Sequence, residues 1–123
     1  MVIHGKDRKF LLTIGASADI ADLCPDGDMT QIGEIFAKAS FAEQVKFTIK
    51  MAIAMNRGYE ENKAFEIAGY EEDVITEKEL RTLTPDQLQE LSSAVLAAYR
   101  GDMSGEIEAE PEKKREITTA PEA

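Results

Sequence analysis

Residues 45–53, Val45-Lys-Phe-Thr-Ile-Lys-Met-Ala-Ile53, alternate apolar and polar side chains almost perfectly, as a half-buried strand would. The same residues also fit a helix, with Phe41, Val45, Ile49, Ala52 and Ile53 on one face. Just upstream, Ser40 and Glu43 stand three apart, the spacing of a capping box. That box, the Ala and Met content and the length of the apolar pattern favour a helix from Phe41 to about Asn56. On such a helix Phe47, Met51 and Met55 widen the apolar surface, and Glu43, Lys46 and Lys50 mark a narrow wet stripe. The helix is then either central to the fold or covered by another subunit.

Downstream the helical signals continue. Thr76 with Glu79 repeats the box, and Thr84-Pro85-Asp86-Gln87 adds proline at the first helical position. The helix after it carries Leu88, Leu91, Val95, Leu96 and Tyr99 as a stripe and stops at Gly101. Upstream, Asp28 with Gln31 resembles another box, opening a helix with Ile32, Ile35 and Phe36 on its face. Ser17 is placed to cap a short helix, SADIADLC, ended by Pro25 and Gly27. The first 14 residues pattern as a β-hairpin, with Val2-Ile3 and Phe10–Ile14 flanking His4-Gly5-Lys6-Asp7. The expected fold class is mainly α (α+β): one helical domain over residues 1–101 with an N-terminal β-hairpin (1–14). Gly58-Tyr-Glu-Glu61 recurs as Gly69-Tyr-Glu-Glu72, which reads as two similar corners with each glycine ending a helix.

The composition changes near Gly101. Residues 102–123 hold seven acids, three bases and two prolines, with Met103, Ile107 and Ile117 as the only large apolar side chains. That pattern predicts a disordered acidic tail.

In all, the chain has 123 residues, 24 acids against 14 Lys and Arg, and a formal net charge of −10. A chain this acidic is a poor coat for nucleic acid and a poor ligand for an anionic membrane. With one Cys and one His, neither an internal disulfide nor a Cys/His zinc cluster is expected. No apolar run suggests a signal peptide or a membrane span, so the expected location is the cytoplasm. Phosphate-binding glycine motifs are absent. Asp26-Gly-Asp28-Met-Thr30 starts like a calcium loop, but Gln31 and Ala37 stand where glycine and glutamate are needed. Cys24 and His4 lack the third group that a nucleophile–base pair needs. Glu60, Glu61, Glu71, Glu72 and Asp73 form acidic clusters that read first as a solvated face and second as a docking surface for a basic partner. No enzyme, cofactor or metal is expected.

The order of these motifs resembles one family. It runs Ile3-His-Gly5-Lys6, Phe10–Ile14, Ala16-Ser-Ala-Asp-Ile-Ala-Asp-Leu-Cys24, a helix ending Met55-Asn-Arg-Gly-Tyr-Glu60, then Leu83-Thr-Pro-Asp-Gln-Leu88 and a helix to Arg100-Gly101 before an acidic tail. Over residues 1–101 this is similar to the small tail assembly chaperones of long-tailed bacteriophages and prophages. The resemblance implies a non-enzymatic role: binding the tape measure protein, assisting tail tube protein assembly around it, and absence from the mature virion. It also implies self-association, so a homo-oligomer is expected, and in some members a longer form made by a −1 frameshift, for which Lys113-Lys114 offers a possible slippery site. Phe47, Met51 and Met55 are the candidate client-binding groove, with membership of the internal core as the alternative. Two other functions compete: a structural virion subunit of connector or decoration type, and an acidic DNA mimic that inhibits a nucleic-acid enzyme.

Overall fold

The computed structural model describes residues 1–101; the expected tail, 102–123, and Lys113-Lys114 lie outside the described residues. The chain folds as a mainly helical domain led by a two-stranded antiparallel hairpin. Strand β1 (Val2–Ile3) pairs with β2 (Lys6–Asp7), placing Val2 opposite Asp7 and Ile3 opposite Lys6. His4 and Gly5 form the two-residue turn, with φ of 50° and 80°, which a right-twisted hairpin requires at both positions. The hairpin is shorter than the sequence suggests. Phe10–Thr13 form no strand, and Ile14 already begins the first helix. Instead the segment crosses the long helix: the Leu11 amide donates to the Met55 carbonyl at 3.0 Å, and the Thr13 amide turns back to the Leu11 carbonyl at 3.2 Å.

Helix α1 (Ile14–Ala21) is capped by Thr13, not Ser17: Thr13 Oγ1 accepts from the Ala16 amide at 3.0 Å. Two 3₁₀ turns, Pro25–Gly27 and Met29–Gln31, lead into α2 (Ile32–Lys38). Asp28 caps the second of these turns through the Thr30 amide, so its spacing to Gln31 does not make a capping box.

Helix α3 (Phe41–Glu66) settles the ambiguous stretch as helix. It runs past Asn56 for ten further residues, and its 26 residues span about 39 Å at 1.5 Å each. Gly58 therefore sits inside the helix and ends nothing, which corrects the paired-corner reading. Its role is steric. A Cβ at position 58 would lie 2.8 Å from both the Leu11 carbonyl oxygen and Thr13 Oγ1. The missing side chain is what lets the N-terminal segment cross α3 so closely. Gly69, at φ 79°, does turn the chain after α3.

Helices α4 (Glu77–Leu80) and α5 (Pro85–Tyr99) begin where their capping boxes place them. The core gathers Ile3, Ile20, Ile49, Met51, Met55, Ile75, Leu91 and Val95 from nearly every element around α3. No helix among the described residues is long and apolar enough to cross a membrane.

Candidate functional site

The three residues expected to form a client groove are not on an open surface. Met51 and Met55 are fully buried in the core, and Phe47 is half-buried with its ring edge-on to Phe36, centroids 5.3 Å apart. The breadth of apolar surface on α3 is real, but this chain covers it itself. Segment 9–13 and the 70–76 connection fold over the Met55 side.

An open apolar groove exists nearby, on the N-terminal half of α3. It encloses about 730 Å³ between α3, α4 and the start of α5. Val45 and Ile49 of α3, Leu80 of α4, Leu83, and Leu88 of α5 form its floor, and Phe41 stands over it 74% exposed. A second hollow of about 340 Å³, reaching toward Phe36 and Ser92, shares Phe41, Val45 and Leu88 with it. The two hollows adjoin along α3.

Local sequence builds this channel. The Ser40–Glu43 box starts α3 at Phe41, which puts Phe41, Val45 and Ile49 four residues apart along one face. The Thr76–Glu79 box places Leu80 in the first turns of α4, and the Thr84–Gln87 box places Leu88 likewise in α5. Three capping boxes thus frame one groove. Hydrogen bonds from the Ser40 backbone and side chain hold the Glu43 carboxyl below its usual pKa, and the Thr76 amide does the same for Glu79, so both boxes are charged near neutral pH.

The rim is basic. Lys46, Lys50 and Arg81 line it, and among the described residues none of the three makes an ion pair within 4 Å. Glu77 is the single acid among the described lining residues. In a chain of net charge −10 this is a local reversal of sign.

The reactive residue types are otherwise engaged. Cys24 is buried, its Sγ is 3.5 Å from the Ile20 carbonyl oxygen, and burial followed by the Asp28 charge pushes its thiol pKa up, away from the nucleophilic thiolate. His4 Nε2 lies 2.6 Å from Thr82 Oγ1, so it does not pair with Cys24. In the calcium-like loop the Asp28 carboxylate accepts from the Thr30 amide and hydroxyl and from Gln31 Nε2. Among the described residues no group of three His, Cys, Asp or Glu is placed to hold a metal ion.

Two members of the expected acidic face serve as fasteners. Glu60 is buried, and its Oε1 accepts from Tyr70 Oη and the Asp73 amide, both at 2.9 Å. Asp73 is ion-paired with Lys6 and Arg8, and the Lys6 hydrogen bond lowers its pKa most. Glu61, Glu71 and Glu72 are exposed, as a solvated face requires. The structural roles of Arg8, Asn56 and Glu60 were hidden in the sequence. The one signal was a polar Asn56 beside Met55 in an otherwise apolar stripe.

No protein-family model matches the chain, and neither a curated protein nor a solved structure shows significant similarity to it.

Proposed function

We propose that this chain is a non-enzymatic assembly chaperone of the phage-tail type, which holds the tape measure protein and assists tail tube assembly around it. The observation that carries this reading is the open apolar groove with a basic rim, whose Lys46, Lys50 and Arg81 make no ion pair among the described residues. A tape measure is a long amphipathic helical protein, and its apolar stripe is an aggregation hazard until it is covered. An amphipathic helix laid in a groove engages through residues at i, i+3, i+4 and i+7. A floor of Val45, Ile49, Leu80 and Leu88 receives such a stripe, and Lys46, Lys50 and Arg81 receive acidic residues at its edge. The motif order of residues 1–101 supports the same assignment. The net charge of −10 keeps a coated complex soluble.

A second apolar surface lies toward the other end of α3. Phe65 is 93% exposed, Ile67 is exposed, and Ile14 is exposed next to Gly15, which lies against Glu61 one turn before Phe65. The distance along α3 from Phe41 to Phe65 is about 36 Å at 1.5 Å per residue. Two separated surfaces suit a protein that holds its client at one end and a tube subunit or a second copy at the other. The chaperone acts in the bacterial cytoplasm and leaves before the virion matures.

Co-expression with the neighbouring tape measure protein is the test. The intact chain is expected to keep the client soluble. Phe41→Asp with Lys50→Glu changes two exposed positions, so it should leave the far-ultraviolet circular dichroism unchanged while the client precipitates. A client that stays insoluble with the intact chain overturns the reading. So does finding the chain as a stoichiometric component of purified particles, which would make it a virion subunit.

A further inference from the structure

We propose that Arg8 and Glu79 are positioning residues for the groove: their contact pins α4, a movable wall, from outside the site. The wall is short. Helix α4 is one turn, Glu77–Leu80, and a single turn has little stability of its own. Yet Glu77 and Leu80 of this turn, with Arg81 and Leu83 just after it, line the groove.

Little holds this segment. Leu80 is buried in the core. Among the described residues, the side-chain hydrogen bonds and ion pairs that leave residues 76–83 from 77–83 go only to His4 and Arg8. None reaches α3 or α5. Arg8 Nη2 donates to Glu79 Oε2 at 3.4 Å, and His4 Nε2 lies 2.6 Å from Thr82 Oγ1. The His4 contact is exposed, so water competes for it. Arg8 is 3% exposed, so its hold on Glu79 is screened far less.

Arg8 is itself tied to α3 by a relay. Its Nη1 donates to the Asp73 carbonyl, and the Asp73 amide donates to Glu60 Oε1 on α3 at 2.9 Å. Its Nε is buried without a hydrogen-bond partner among the described residues. With one donor already unpaired, losing Glu79 would strand more of a buried cation, which keeps the guanidinium on that carboxylate. Glu79 passes the hold to the helix. Its Oε1 accepts from the Thr76 amide at 2.9 Å as part of the α4 capping box, while Oε2 faces Arg8. One carboxylate thus both starts the helix and ties it down. Neither Arg8 nor Glu79 lines the groove.

The two ends of the wall are fixed separately, at Ile75 by Asn56 and at Thr84 by the start of α5. Without the Arg8 contact, residues 77–83 can open between these points while the rest of the chain stays folded. Opening draws Leu80 and Arg81 away from Val45 and Ile49. The shape of the groove is therefore set by a residue 71 positions away in sequence from the one it holds.

Hydrogen exchange on the full chain tests this. Glu79→Gln removes the charge facing Arg8 but keeps an oxygen for the Thr76 amide, as Gln87 does for Thr84. The amides of Leu80, Arg81 and Leu83 bond to carbonyls three or four residues back. They are expected to exchange about tenfold faster, as the loss of a hydrogen bond between charged groups implies. Amides of 49–56 and 91–98 should hold within about twofold. Arg8→Met is expected to give the same pattern; should it fail to fold, Glu79→Gln, at a half-buried position, decides alone. Lys6→Met frees Asp73 without touching α4, and is expected to leave the wall at native rates. Uniform acceleration along the chain in Glu79→Gln, or none at 80–83, overturns the proposal.

The effect on a client rests on the chaperone reading. Glu79→Gln is expected to lower the yield of soluble tape measure protein in co-expression, although residue 79 lies outside the groove. Undiminished solubility beside a loosened wall overturns the positioning role. A client that is insoluble even with the intact chain removes the chaperone reading alone, and the exchange pattern then decides the hold of Arg8 on α4.

Discussion

The Ile75 amide donates a 2.7 Å hydrogen bond to Asn56 Oδ1, and both residues are buried. The other end of the same side chain, Asn56 Nδ2, donates to the Lys9 carbonyl at 2.9 Å. One amide on α3 thereby fastens two segments that lie 47 and 19 residues away in sequence. One turn on, Glu60 holds Tyr70 and Asp73, and Asp73 accepts from Lys6 and Arg8. The N-terminal segment and the 70–76 connection are thus latched to α3 and to each other.

Asn56→Ala removes the latch and leaves the Ile75 amide and the Lys9 carbonyl without this partner. An unsatisfied buried polar group costs about 1–3 kcal/mol. Chemical denaturation should show a loss in the upper part of that range. A loss below about 1 kcal/mol would show that water takes over both bonds.

Gly58→Ala should destabilise the fold even though alanine is the better helix former by about 1 kcal/mol. The new methyl would meet the Leu11 carbonyl oxygen and Thr13 Oγ1 at 2.8 Å. Gly33→Ala in α2 is the control, since nothing lies within 4 Å of its Cβ position and φ is not positive there. It should raise the melting temperature while Gly58→Ala lowers it. Equal responses would mean that the close crossing of residues 11–13 does not constrain α3.

Acid should loosen the latch. Asp73 has a lowered pKa, first through the Lys6 hydrogen bond, and Glu79 a lowered one, first through the Thr76 amide. A carboxyl whose folded pKa is depressed contributes stability that is complete above its unfolded value and is lost as pH falls through the folded value. Thermal stability is therefore expected to hold from neutral pH down to about the ordinary carboxylate range and to fall below it. Lys6→Met should weaken that fall by raising Asp73. An unchanged pH profile in Lys6→Met would rule Asp73 out as a contributor.

Cys24→Ala together with His4→Ala should keep the tape measure protein soluble in the co-expression assay, because neither side chain lies in the groove. Loss of that activity in a folded double variant would falsify the non-enzymatic reading.

Removing residues 102–123 should leave the melting temperature within a few degrees, because the core of residues 1–101 is assembled from α1 to α5 and the hairpin. Differential scanning calorimetry checks this. A large drop would mean that Ile107 or Ile117 contributes to the fold itself.

The sequence by itself determined the helical class, the starts of α3, α4 and α5, and the stop at Gly101. These depend on contacts within three or four residues: a Ser or Thr oxygen meeting a backbone amide, a proline in the first turn, a glycine free to take positive φ. It also marked Lys46 and Lys50 as the wet stripe of α3. The groove they border could not be read, because its walls come from residues about 35–40 positions apart, at Val45 and Ile49 and at Leu80 and Leu88. Tertiary structure alone decided that Met51 and Met55 are core, that α3 continues through Gly58, and that Phe10–Ile14 are not a strand. In each case the deciding contact is long-range. Asn56 draws Lys9 and Ile75 onto α3, and the bare Cα of Gly58 admits Leu11 and Thr13. Local propensity would end the helix at that glycine; a backbone packed against it holds the helix together.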